Sequence, residues 1–375
     1  MSGLSLRIGR EHKAIIIGAV AVGFLIAGAS SSAQEVRCGD GVPRDTSYTL
    51  FSAARKIYKK FPNVKLAADR LPAGVDARRN IVFASNGGRH LCLDVFKPAG
   101  DLRKKYPGVL IIHGGGWVSG DRSMLVPMAE RIASHGYVTV TADYRLAPEA
   151  LYPAGVYDVK AAVRWMRANG DEYQIDTTRI VAYGCSAGGE LASFLGATNG
   201  LKKFEGEGGN QGSSSRVQAV VNVDGLLDFM SLNSTKYDNN PAKPSAAERW
   251  FGGSYRNIPG VWKDASPITY AGSSTPPTIF INSSMAHYHA GRDSMVAIMK
   301  RFGIYSEVRT LPGTPHTFWL FHPWFDKTLE YTLGFLDEVF RQQPMRNGKL
   351  GDSFSGGHSA SAGRKVIVKK PMNIG

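Results

Sequence analysis

The chain has 375 residues, with 45 Lys and Arg against 31 Asp and Glu (net charge +14), and is 43% hydrophobic and 20% charged. This is the composition of an ordinary globular protein, long enough for one large α/β domain or two small ones. Three cysteines exclude a disulfide framework, and no basic motif is interleaved with aromatics, which argues against nucleic acid as a partner.

In chain order, Arg7, Arg10 and Lys13 precede the 16-residue apolar run AIIIGAVAVGFLIAGA, and Ser31-Ser32-Ala33 follows it. A basic, then apolar, then small-residue pattern reads as a secretory signal peptide over 1–33, cleaved after Ala33. An uncleaved anchor is the alternative, but a spanning helix wants ~20 apolar residues. The expected location is therefore exported, periplasmic or secreted, with no stable membrane insertion once the signal is removed. Export permits disulfides, and Cys38 with Cys92 is a permissible pair. In the segment 34–74, YTLFSAARKIYKKF (48–61) has apolar residues at helical spacing with Arg55, Lys56, Lys59 and Lys60 on other faces, which predicts a surface or cap helix.

From 75 to 342 strand and helix patterns alternate. Strands are expected at 81–84, 91–97, 108–113, 137–144, 179–184, 217–224, 278–283 and 305–311, several of them near-continuous Val/Ile runs. Helical patterns fall near 123–135, 155–169, 187–198, 290–302 and 325–340. The alternation predicts an α/β fold, a mostly parallel doubly wound sheet of about eight strands flanked by helices. EGEGGNQGSSS (205–215) reads as a surface loop, and 228–277 as an aromatic excursion that either rims a pocket or only covers the sheet. Residues 343–375, Gly/Ser-rich and basic, read as a disordered tail.

Chemistry concentrates at three places. RIVAYGCSAGGELASFLGATNG (179–200) sets Ser186 between a strand and a helix, with Gly184 and Gly188 allowing close backbone approach, as in a nucleophile elbow. Cys185 beside it is expected to be a small buried hydrophobe. A serine hydroxyl needs a base to take its proton and fixed donors for the oxyanion that follows. GVLIIHGGGWVSGD (108–121) offers the donors, with the N–H groups of Gly115, Gly116 and Ala187 as candidates and His113 expected to hold the glycine loop. YSEVRTLPGTPHTFWLF (305–321) puts His316 on the loop after the last strand as the expected base, ahead of His322.

The acid is less direct. An acid commonly follows the seventh strand, yet the stretch after TIFINS has no carboxylate until Asp293, which is the expected acid. Asp224 at the end of the sixth strand and Asp264 are alternatives, as is an acid-free site with a polar stand-in. His287 and His289 form an H-x-H without a third ligand near in sequence, so no metal is expected and no organic cofactor is required.

HGGGW, ADYRLAPE (142–149), GCSAGG and a late His followed by an aromatic, in that order, resemble the α/β-hydrolase superfamily, in its hormone-sensitive-lipase-like and carbohydrate-esterase-like branches. The resemblance spans roughly 75–340 and implies Ser186 as nucleophile, His316 as base, and Gly115, Gly116 and Ala187 as oxyanion donors. Cys185 and Glu190 depart from the Asp and Asn common in the lipase-like GDSAGGN. INSSMAHYHAGRD and HTFWLFHPWF look like secreted bacterial esterases that deacetylate plant cell-wall polysaccharides such as xylan or pectin. The implied function is a secreted serine carboxylic ester hydrolase acting on an acylated carbohydrate. The alternatives are a lipase-like carboxylesterase for small acyl esters and a feruloyl-type esterase. Phe318, Trp319, Phe321, Trp324 and Phe325 either stack on sugar rings or pack the last helix.

Overall fold

The computed structural model describes Cys38 and residues 45–235 and 242–341. The expected signal segment and basic tail lie outside the described residues.

The first helix, α1, is Leu50–Tyr58, begun by a capping box in which Thr49 accepts from the Ser52 N–H and Ser52 Oγ accepts from the Thr49 N–H. The strands follow in sequence: β1 Val75–Asn86, β2 Arg89–Pro98, β3 Tyr106–Ile112, β4 Val138–Ala142, β5 Ile175–Cys185, β6 Ala219–Val223, β7 Thr278–Asn282 and β8 Ser306–Thr310. Between and after them run α2 Val126–Ala133, α3 Ala154–Ala168, α4 Ala187–Ala197, α5 Ala246–Phe251, α6 Pro259–Asp264, α7 Arg292–Arg301 and α8 Trp324–Arg341. Each expected strand is present.

Among the described residues the principal sheet has eight strands in the order β1-β2-β4-β3-β5-β6-β7-β8. β2 is antiparallel to both neighbours and the pairings from β4 to β8 are parallel. This is the α/β-hydrolase arrangement that the sequence predicts. The β3 segment shows why both faces are apolar: Leu110 and Ile112 point into the cluster under α3 and α4, while Val109 and Ile111 enter the one under α1, α2 and α8. With period-2 alternation, a strand covered on both sides must be hydrophobic throughout, and each fully buried aliphatic contributes about 1.5–3 kcal/mol.

Within 228–277 the described residues include short helices that carry Trp250, Phe251 and Trp262 into the core, so this part of the excursion covers the sheet as packed structure. Cys38 and Cys92 form a disulfide, with Cα atoms 5.8 Å apart. Cys185 is a buried free thiol, as expected.

Candidate active site

Parallel strands end on one edge of the sheet, and that edge gathers the chemistry. β5 ends at Cys185 and α4 begins at Ala187, so Ser186 makes the whole turn, at φ 55° and ψ −122°. A non-glycine residue holds such a strained conformation only when its surroundings over-determine it. Here the Ser186 N–H donates to the Val223 carbonyl at 2.8 Å. The flanking glycines are sterically obligatory. A Cβ at Gly184 would lie 1.9 Å from the Gly188 carbonyl oxygen, and one at Gly188 would lie 2.1 Å from that of Ile112.

The loop after β3 presses against this elbow, since a Cβ at Gly114 would sit 3.0 Å from Ser186 Cβ. Gly115 and Gly116 have φ of 130° and 61°, with the Gly115 carbonyl turned toward the Val118 and Ser119 N–H groups. Among the described residues, no backbone carbonyl accepts from the N–H of Gly115, Gly116 or Ala187. His113 donates through Nδ1 to the Gly114 carbonyl at 2.8 Å, and its own carbonyl accepts the Tyr144 hydroxyl at 3.0 Å, so it stays in the loop scaffold.

His316, on the loop after β8, brings Nε2 to 2.8 Å from Ser186 Oγ. Its Nδ1 faces Asp224 Oδ2 at 3.0 Å. With Nδ1 holding a proton for the carboxylate, Nε2 is left to accept from the serine hydroxyl. Burial pushes the His316 imidazole below its usual value, against the Asp224 hydrogen bond and charge, which raise it, while the Lys56 charge also lowers it. Burial thus favours the neutral imidazole, the form that can act as a base.

The expectation that Asp293 orients His316 is corrected here. Asp293 lies in the first turn of α7, its side chain 85% exposed and paired with the adjacent Arg292 at 2.8 Å. Asp224 takes the place because it stands directly at the β6 end, one strand over from Ser186, at φ 49°. Asn222 braces that turn, accepting from the Gly225 N–H at 2.8 Å and donating to the Gly189 and Gly225 carbonyls, each at 3.0 Å. Asp264 is elsewhere, accepting the Tyr152 and Tyr270 hydroxyls at 2.8 and 2.6 Å. His322 pairs with Asp326 at 2.6 Å and takes no part.

Three contributors escaped sequence reasoning. Ser283, directly after β7, gives Asp224 its N–H at 2.8 Å and its hydroxyl at 2.6 Å, so a donor occupies the position where an acid is common. Its signal was that very position. Tyr288, between the two histidines of the H-x-H pair, stacks on the His316 ring, with centroids 3.3 Å apart and planes 8° apart. Lys56 of α1 is close enough for its charge to be felt at His316. Among the described residues no three His, Cys, Asp or Glu side chains are grouped to hold a metal. Phe318, Trp319, Phe321 and Phe325 are buried in one cluster with the last helix, so of the two roles open to them it is packing that the structure shows; Trp319 meets the His316 ring edge-on at 5.1 Å.

A buried carboxylate, an imidazole and a hydroxyl in line beside free backbone donors can form and hydrolyse an acyl-enzyme. Residues 93–300 match the BD-FAE family. The chain is 28% identical to Esterase LipC of Mycobacterium tuberculosis over 254 residues, 64% of this chain and 60% of LipC. It spans about half the length of two further curated relatives that it matches. A truncated carbohydrate esterase from gut microbiota has the same fold at 24% identity and TM-score 0.57, covering 72% of this chain and 99% of that one. A bifunctional GH43-CE of Bacteroides eggerthii is 27% identical with TM-score 0.61, covering 70% of this chain and 38% of that one.

Proposed function

The chain belongs to the BD-FAE family, and from that premise we propose that it is a serine carboxylic ester hydrolase working through an acyl-enzyme. The observation that carries this reading is the continuous relay from Ser186 Oγ through His316 to Asp224, at 2.8 and 3.0 Å. Ser186 attacks the ester carbonyl as His316 Nε2 takes its proton, and the carbonyl oxygen becomes an oxyanion facing the N–H groups of Gly115, Gly116 and Ala187. Asp224 stabilises the imidazolium without itself being protonated. His316 then returns the proton to the departing alcohol, and by microscopic reversibility it activates the water that releases the acid.

The substrate we infer is an acetylated plant cell-wall polysaccharide or oligosaccharide, a reading supported by the carbohydrate-esterase neighbours. Between xylan and pectin, charge favours the anionic pectin. Arg55 and Lys56 of α1, and Lys59 and Lys60 directly after it, are exposed, the Lys56 charge acts on His316, and the helix carries no acid. Long-range attraction of this kind raises the local concentration of a polyanion. Export, the remaining part of the reading, is supported by the basic, apolar and small-residue pattern of 1–33 and by the Cys38–Cys92 disulfide, a bond suited to an oxidising compartment.

A fluorophosphonate probe tests the reaction class: the wild type should label and Ser186→Ala should not, while an unlabelled wild type would make the chain a binding protein on this fold. Acetate release from acetylated pectin and xylan, set against cleavage of p-nitrophenyl butyrate and octanoate, tests the substrate. Turnover confined to the p-nitrophenyl esters would sink the carbohydrate reading.

A further inference from the structure

One buried carboxyl group has no part in these steps. Glu190, in the first turn of α4, is 0% exposed. Its Oε2 accepts the Trp117 indole N–H at 2.9 Å, and its Oε1 has no hydrogen-bond partner among the described residues. An ionised carboxylate so placed would be a desolvated charge with a single neutral donor, which is very costly. Burial accordingly pushes the Glu190 carboxyl well above the usual carboxylate range, although the Trp117 hydrogen bond works the other way. The group is therefore a neutral acid.

Trp117 ends the glycine loop with φ at 60°, a left-handed conformation that a bulky residue keeps only under constraint from its neighbours. Three neighbours act on its indole: Trp250, Phe229 and Glu190. The ring stacks on Trp250 of α5, with centroids 4.8 Å apart and planes 6° apart. Stacking fixes the height of the ring, and Phe229 packs against it at 52° with centroids 5.3 Å apart, but neither apolar contact is directional enough to hold the ring against a small slide in its own plane. The directional hydrogen bond to Glu190 removes that slide, because an N–H···O contact weakens steeply off its axis.

The register of the indole sets the backbone just before it. Gly116 is the preceding residue, and a Cβ there would approach Ala246 Cβ of α5 to 2.9 Å, so the loop sits between α5 and Ser186 with little room to spare. The loop is held by Gly114 against Ser186, by the Gly115 carbonyl on the Val118 and Ser119 N–H groups and by the Trp117 carbonyl on the Ala147 N–H, and the indole is the side chain that anchors it to the core.

We propose that Glu190 is a positioning residue for the oxyanion site: by holding the Trp117 indole from within the core, it fixes the 114–117 loop against Ser186 and so aims the Gly115 and Gly116 N–H groups. This rests on the ester-hydrolase reading above. A misaimed oxyanion donor weakens transition-state binding while leaving ground-state binding nearly intact, so the loss belongs in kcat rather than KM.

The test uses the full chain with p-nitrophenyl acetate and a fluorophosphonate. Trp117→Phe keeps a ring for Trp250 but deletes the N–H; kcat and the rate of Ser186 labelling should fall about 10- to 100-fold, with KM within about threefold. Glu190→Gln keeps an acceptor for the indole and should stay within about threefold of wild type in kcat. Glu190→Leu combined with Trp117→Phe leaves neither polar group buried without its partner. It should melt near the wild-type temperature yet keep the kcat defect, separating aim from stability. Wild-type kcat in Trp117→Phe, recovery of kcat in the double variant, or a kcat loss in Glu190→Gln as large as in Trp117→Phe would each overturn the inference. A wild type that neither turns over the ester nor labels would instead overturn the reading on which it rests.

Discussion

Replacing Asp224 by Asn tests the relay at its least exposed member. The carboxylate is wholly buried and accepts three hydrogen bonds: Ser283 N–H at 2.8 Å on Oδ1, and Ser283 Oγ at 2.6 Å and His316 Nδ1 at 3.0 Å on Oδ2. An asparagine oriented to keep the Ser283 N–H contact turns its amide NH2 toward the other two. The serine hydroxyl can rotate to accept, but the imidazole must then accept at Nδ1 and carry its proton on Nε2. That nitrogen is the one Ser186 needs as acceptor. A triad in the wrong tautomer loses about 10⁴-fold in kcat, equivalent to about 5.5 kcal/mol of barrier. Asp293→Asn, at a side chain 85% exposed and paired with its neighbour Arg292, should change turnover by less than about threefold. Steady-state kinetics on p-nitrophenyl acetate, with circular dichroism to verify folding, compares the two. The reasoning fails if Asp224→Asn stays within tenfold of wild type, or if Asp293→Asn falls as far.

Ser283→Ala removes the 2.6 Å hydroxyl contact but keeps the N–H, and should destabilise the fold by about 1.5–3 kcal/mol in urea titration while lowering kcat less than Asp224→Asn does. Because burial holds His316 below its ordinary 6.5 and the base must be unprotonated to act, kcat/KM should rise through an apparent pKa below 6.5 and stay level just above it. An acidic limb centred above that value contradicts the assignment of the base. Gly184→Ala should yield no soluble folded protein, given a Cβ 1.9 Å from a backbone oxygen, and a variant melting like wild type would show that the elbow is looser than described. Reducing the Cys38–Cys92 bond, which joins residues 54 apart, should cost about 4 kcal/mol by loop entropy, read as a drop of several degrees in Tm; an unchanged Tm refutes that magnitude.

The sheet was legible along the chain, because strands buried on both faces leave Val/Ile runs and the crossover helices leave their own period between them. Ser186, His316 and the glycine loop could be picked out as site candidates for a like reason, since each sits within a few residues of a strand end where local chain direction already fixes its exposure. The partner of His316 was not legible in this way and came from the packing of the strands. Ser186, Asp224, His316 and Ser186, Asp293, His316 obey the same chain order, so order could not choose between them. The choice depends on which strand end lies beside which, and β6 adjoins β5 while Asp293 begins a helix beyond β7. Ser283 and Glu190 were hidden for the same reason. What a polar side chain does in the interior depends on partners brought to it across the sheet, 59 residues away for Asp224 with Ser283 and 73 for Trp117 with Glu190, and hydrophobic periodicity carries no record of those meetings.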